Sequence, residues 1–317
     1  MNSILDDFKS LSLNNDNVII HKPFLKWIGG KTQIIDDILS IFPKQINNYY
    51  EPFLGGGSVL FGLLSYIKNN KIIVTGSINV SDINKDLINV YINIQNRPNE
   101  LINEINSIKD TYNNIKIDNG NKKPTNYEDA ILSKESYYYW MRNKYNNLNE
   151  NDRNSVIASA IFIFLNKTCF RGMHRVGPNG FNVPYGNYKN PSIIDDEHIL
   201  STSHFIKDVK FTSESYSSIL NNMNNNDFIY LDPPYVPINN KSFVGYNQDG
   251  FDEKEHDNLF EVCNRLPCKF LMSNADSKII YEKFENNTIK IDKILCKRAI
   301  NSKKPSSTVN ELLIKNY

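Results

Sequence analysis

The sequence predicts an α/β protein whose sheet is split along the chain by a helical segment. Three observations carry this expectation. From about residue 20 to 95, short apolar runs that end at glycine or an acid alternate with runs of helical period. From about 97 to 155 the chain turns rich in Asn, Lys and Tyr, with helical stretches separated by polar loops such as Lys116 to Thr125. From Phe211 the α/β alternation resumes. No internal repeat is visible, and asparagine runs such as Asn221 to Asn226 are compositional bias of loops.

Taken in order, the first α/β stretch reads as a glycine-containing turn from Ile28 to Lys31 and a helical run to Phe42. A strand from Tyr49 to Phe53, a glycine cluster, a second helix and a strand ending at Asp82 follow. The later stretch reads as a strand from Phe228 to Leu231, a helix from Glu253 to Arg265 and a strand from Lys269 to Met272. Two further β-like runs lie near Ile289 to Leu295 and Val309 to Ile314. These boundaries divide the chain into 1–95 and 196–317, two parts of one α/β domain, around a separate segment, 96–195.

At 317 residues, 40% hydrophobic and 12% aromatic, the chain can bury a full core and hold two domains. Its longest strongly apolar run, Val156 to Leu165, is half of the roughly 20 residues a bilayer span requires, so no membrane segment is expected. Asp6 and Asp7 stand where an export signal needs positive charge. The four cysteines have no CxxC spacing and the five histidines no HxxxH pair, which points to reduced thiols in a cytosol-like compartment and to no metal site. Cys263 shares an apolar helix face with Leu259, Phe260 and Leu266 and reads as a core thiol. Lys plus Arg (36) nearly balances Asp plus Glu (35), so local patches decide the partner. Two stretches are basic, Lys167 to Lys189 and Lys293 to Lys304, and either can be a solvated face or a nucleic-acid contact.

Three motifs carry candidate chemistry. In YEPFLGGGSVLF, Tyr50 to Phe61, glycines between a strand and a helix let a ligand approach the backbone closely. Asp82 follows Gly57 by 25 positions, near the spacing at which α/β nucleotide binders hold ribose hydroxyls. The pattern is not GxGxxG, so a single adenosine-containing ligand fits better than a dinucleotide. In FLKWIGGKTQI, Phe24 to Ile34, Trp27 either packs on a ligand or anchors the N-terminus to the core. Gly29 and Gly30 bring backbone close, and Lys31 offers a charge for a carboxylate. In IYLDPPYVP, Asp232 sits at a strand tip and Pro233 has no N–H, so the tip offers acceptors with few competing donors. If the Asp232 carboxylate and the Pro233 carbonyl accept the two hydrogens of an exocyclic amino group, its lone pair turns toward an electrophile, and Tyr235 supplies a stacking ring.

LKWIGGK, EPFLGGGSV, SDINKDLI, NKTCFRGMHRVGPNGFNVPYGNYKNP and YLDPPYVP together resemble Dam-type DNA adenine-N6 methyltransferases, including enzymes of restriction-modification systems. They fall in the order of the alpha group, D12 class, and the resemblance runs from Lys22 to the end of the chain. It implies a Rossmann-like methyltransferase sheet with an inserted helical target-recognition domain carrying a β-hairpin. S-adenosylmethionine would be held by Trp27, Gly30, Lys31, Glu51, Phe53, Gly55, Gly57, Asp82 and Asp232. Asp232, Pro233, Pro234 and Tyr235 would be catalytic, acting on an adenine flipped out of duplex DNA, and no metal is needed because a sulfonium is already a strong electrophile. The hairpin stretch would enter double-stranded DNA, with Phe170 and Met173 as apolar wedges and Arg175 as a fork able to read guanine. Lys26 would contact another base pair and Tyr185 would lie at the hairpin's return.

GATC is the expected recognition sequence, because Lys26, Met173 and Arg175 match its readers; Arg171 departs from the Asn common in the class. Phe243 and Tyr246 fall where relatives have a loop over the flipped base. Lys297 and Lys303, in the second basic stretch, would track phosphates. A cognate restriction endonuclease is a candidate partner. The rivals are the same machinery acting on cytosine N4, and a non-catalytic DNA binder that retained the fold.

Overall fold

Phe228–Leu231 is apolar at every position and becomes a strand with all four residues buried, the pattern of a strand covered on both faces. In the computed structural model, which describes residues 18–116, 119–237, 251–284, 288–297 and 308–317, it lies at the middle of a seven-stranded sheet. The strands are β1 (Tyr49–Glu51), β2 (Ile78–Ser81), β3 (Val209–Thr212), β4 (Phe228–Leu231), β5 (Lys269–Ala275), β6 (Lys290–Lys297) and β7 (Thr308–Lys315). Their spatial order is β6-β7-β5-β4-β1-β2-β3. The five strands from β3 to β5 run parallel, whereas β7 is antiparallel to β5 and β6 antiparallel to β7.

The chain builds outward in one direction from β1 to β3 and in the other from β4 to β5. The order therefore reverses between β1 and β4, and ligands of open α/β sheets bind beyond the strand ends at such a reversal. Two expectations need adjustment. The strand expected to reach Phe53 stops at Glu51, because Pro52 cannot donate to the ladder. Val209–Thr212, which has no strong alternation of its own, is a strand because it pairs with β2 in register Ile78↔Val209 to Ser81↔Thr212.

Helices at Ser58–Lys68, Tyr216–Leu220, Glu253–Cys263 and Lys278–Lys283 occupy connections between strands. Between β2 and β3 come the helices Lys85–Asn96, Pro98–Asn114, Lys134–Asn146, Val156–Thr168 and Asp196–Phe205. Val156–Thr168 holds the longest apolar run and is buried on nearly every side. It packs against Lys85–Asn96, Pro98–Asn114 and Lys134–Asn146. One apolar cluster consequently runs from Phe228 and Tyr230 of the sheet to Ile161 and Phe164 of that helix. All four cysteines are buried free thiols. Among the described residues no helix is long and apolar enough to cross a membrane.

Candidate active site

The carboxyl ends of β1, β4 and β2 each deliver one acid: Glu51 is the last residue of β1, and Asp232 and Asp82 follow β4 and β2 directly. Each is held differently. Glu51 is 2% exposed, and its Oε2 accepts the Tyr49 hydroxyl at 2.8 Å. Burial, opposed only in part by that hydrogen bond, pushes its carboxyl up to about 8. Asp82 accepts the backbone N–H of Gly55 at 2.9 Å and of Asn84 at 3.0 Å, so it ties the glycine turn to β2. Burial raises its carboxyl as well, with those two donors opposing.

The glycine cluster is explained by what surrounds it. A Cβ on Gly55 would stand 2.8 Å from the Trp27 indole, one on Gly56 2.7 Å from the Trp27 Cβ, and one on Gly57 2.7 Å from the Tyr91 hydroxyl. Gly55 and Gly57 also take φ of 50° and 71°, in the left-handed region that favours glycine. Trp27 thus packs on the turn and stacks on His174, centroids 5.4 Å apart. The Lys31 N–H donates to Ser58 Oγ at 2.9 Å, fixing the second glycine turn to the first turn of the helix Ser58–Lys68. Phe53 stacks on Tyr216 and meets Phe251 edge-on.

The Asp-Pro-Pro-Tyr tip is the most strongly tethered part of the site. The Lys31 ammonium, only 3% exposed, donates to Asp232 Oδ2 at 2.6 Å and to the Gly29 carbonyl at 2.6 Å. It also lies 3.8 Å from Glu311 Oε1 and 5.0 Å above the Tyr235 ring. The Tyr235 hydroxyl donates to Glu311, on β7. Beyond it, Val236 N–H donates to Asn274 Oδ1 at 3.0 Å, and His256 Nε2 lies 2.9 Å from the Pro234 carbonyl. Burial pushes the Asp232 carboxyl up to about 6; Lys31 opposes that shift and Glu311 adds to it. A carboxyl raised in this way at a strand end is the kind of group that functional sites collect.

The hairpin stretch leaves the end of the helix Val156–Thr168. Asn166 exchanges two hydrogen bonds with the Lys26 backbone, 2.9 and 2.7 Å, which sets Lys26 beside the hairpin. A Cβ on Gly172 would collide with Lys26 Cβ at 2.5 Å. Strands Val176–Gly177 and Gly180–Phe181 pair antiparallel, and Asn146 clasps the backbone N–H and carbonyl of Phe181 at 2.8 and 3.0 Å. Phe170 is 44% exposed, whereas Met173 is half-buried against the core. Arg171 adopts φ 57°, with its guanidinium over the Phe170 ring. Arg175 is exposed, and its Nε donates to Asn182 Oδ1 at 2.6 Å. The Tyr185 hydroxyl pairs with that of Tyr112 at 2.7 Å, which ties the hairpin's return to the helical segment.

Trp27, Lys31, the glycine turn, Asp82 and Asp232 are thus brought to one end of the sheet, with Lys26 and the hairpin alongside. Lys303, Phe243 and Tyr246 lie outside the described residues, and Lys297 ends β6. Glu311, His256 and Asn274 were not singled out from the sequence, and His174 was read only as part of the basic stretch Lys167 to Lys189. A lone acid inside the apolar run Val309 to Ile314 was the one local signal for Glu311. Among the described residues no three His, Cys, Asp or Glu gather as a metal-holding cluster.

Comparison with known proteins agrees with this arrangement. Residues 27–299 match the family described as D12 class N6 adenine-specific DNA methyltransferase. The chain is 38% identical to the type II methyltransferase M.MjaIII of Methanocaldococcus jannaschii, over 93% of this chain and 99% of that one. It is 29% identical to M1.LlaDCHI of Lactococcus lactis subsp. cremoris, over 97% and 99% respectively. It is also 29% identical to the DNA adenine methylase of Haemophilus influenzae, over 91% of each chain. The resemblance read from the five motifs is borne out, and with it the mixed α/β methyltransferase fold. The chain belongs to the D12 class of N6 adenine-specific DNA methyltransferases.

Proposed function

We propose that the enzyme uses S-adenosylmethionine to methylate adenine N6 in duplex GATC, after flipping the adenine out of the helix. The convergence of Glu51, Asp82 and Asp232 at the strand-order reversal carries the reading. The residues fit this cofactor. Each Asp82 oxygen accepts one backbone N–H, which leaves acceptor capacity for ribose hydroxyls. Glu51 and Asp232 are carboxyls raised by burial, a state that a nearby cation relieves. Trp27, Gly30, Lys31, Phe53, Gly55 and Gly57 complete the cofactor-binding set.

When bound, S-adenosylmethionine supplies an electrophilic methyl on a sulfonium. Asp232 and the Pro233 carbonyl accept the two N6 hydrogens, which localises the amino lone pair, and Tyr235 stacks on the base while Pro234 holds the turn. Residues 96–195 serve as the target-recognition segment between the two parts of the catalytic domain, 1–95 and 196–317. Lys26 and Arg175 read base pairs, Phe170 and Met173 fill the gap left by the flipped base, and Arg171, Tyr185, Lys297 and Lys303 add backbone contacts. A cognate restriction endonuclease is the partner this reading expects, in the cytoplasm or whichever compartment holds the DNA. The test is incubation with S-adenosylmethionine and plasmid DNA, followed by single-molecule mapping of modified bases. N6-methyladenine confined to GATC supports the proposal; modification at another motif removes the specificity, and N4-methylcytosine removes the base.

A further inference from the structure

We infer that Glu311 is a positioning residue: it offers the Lys31 ammonium a second carboxylate, so that Lys31 can leave Asp232 when Asp232 takes up the target amino group. The inference rests on the role proposed for Asp232. In the structure Lys31 Nζ sits 2.6 Å from Asp232 Oδ2, so the ammonium competes with an incoming amino group for the charge of the same carboxylate. Lys31 is 3% exposed, so water cannot solvate its charge if the pair opens, and an unpaired buried ammonium is strongly disfavoured. Glu311 Oε1 lies 3.8 Å from the same nitrogen, and its side chain is 13% exposed. A small rotation of the long Lys31 stem therefore exchanges one buried carboxylate for the other while the Gly29 carbonyl, 2.6 Å away, stays within reach.

The same Glu311 carboxylate accepts the Tyr235 hydroxyl, so the partner exchange and the position of the stacking ring are linked. Its backbone is fixed by the pairing of β7 with β5, where Glu311 stands opposite Ala275. The ionisable groups around Asp232 are Lys31, Glu311, Glu51, Tyr230 and Tyr235; Glu311 itself also meets the Cys296 thiol at 3.6 Å. Of these, Glu311 is the group that can accept Lys31 without belonging to the strand tips that face the ligand.

The test is single-turnover methylation of a duplex by the full-length enzyme, as wild type, Glu311→Gln, Lys31→Met and the double variant, with Asp232→Asn as reference. Glu311→Gln keeps an acceptor for Tyr235 but removes the charge, so the rate should fall by about tenfold or more while cofactor and duplex affinities hold within a few fold. Its acid limb should move to lower pH, because Glu311 is one of the groups that raise the Asp232 carboxyl. The double variant should be no slower than Lys31→Met alone, since without the ammonium there is nothing to exchange. If Glu311→Gln proves unfolded by circular dichroism, Glu311→Asp, which keeps the charge but shortens the reach, takes its place and should also be slow. A normal rate and an unmoved acid limb in the substituted enzyme, or additive losses in the double variant, overturn the role of Glu311. An active Asp232→Asn enzyme overturns the Asp232 reading instead.

Discussion

Glu51→Gln tests how the site treats buried charge. Glu51 is 2% exposed; burial, opposed in part by the Tyr49 hydrogen bond and the Lys31 charge, moves its carboxyl from an ordinary 4.5 up to about 8. Because the folded-state value is raised, the neutral carboxyl contributes its stability fully below about pH 4.5, and that contribution is lost as pH rises through about 8. At about 1.36 kcal/mol per unit, the whole span corresponds to ~5 kcal/mol. The glutamine retains an acceptor for the Tyr49 hydroxyl and does not ionise. Any constant cost of its amide is the same at every pH, so the difference between the two proteins isolates the ionisation. Urea unfolding at intervals from pH 5 to 9, read as midpoints at unchanged slope, should show the variant gaining on wild type with rising pH, by up to ~4 kcal/mol within that window. Curves that stay parallel to within ~0.5 kcal/mol would refute the argument that Glu51 is neutral in the folded protein at pH 7.

Asp232→Asn should abolish methyl transfer while leaving duplex affinity largely intact, measured by tritium incorporation and by fluorescence anisotropy. In the wild type, the transfer rate should rise as pH increases through about 6, where Asp232 becomes the acceptor the amino group needs; a flat profile from pH 5 to 8 would count against it. Arg175→Ala should relax discrimination at one guanine by about 1 to 3 kcal/mol, scored across single-substitution duplexes. Gly172→Ala forces a side chain onto a backbone at φ 64° and onto Lys26 Cβ at 2.5 Å. It should destabilise by about 1 to 2 kcal/mol and weaken duplex binding beyond that loss, seen by thermal unfolding and anisotropy at low salt.

The chemistry was legible in the sequence wherever it is written in neighbouring residues. Asp-Pro-Pro-Tyr after four apolar residues announces a buried strand with an acid at its tip. Three glycines between strand and helix announce a close approach, whose immediate cause is Trp27 and Tyr91 packed against the turn. These signals are local, since backbone period, proline and glycine act within a few residues of themselves. The strand Val209–Thr212 was not legible, because its conformation is imposed by pairing with Ile78–Ser81. Nor was the clasp between Lys31 and Asp232, 201 positions apart, or the approach of Glu311 to both Lys31 and Tyr235. The Glu311 contacts exist because the last strand inserts antiparallel beside Lys269–Ala275. Insertion of that kind follows from the packing of the whole sheet, and no short stretch of sequence encodes it.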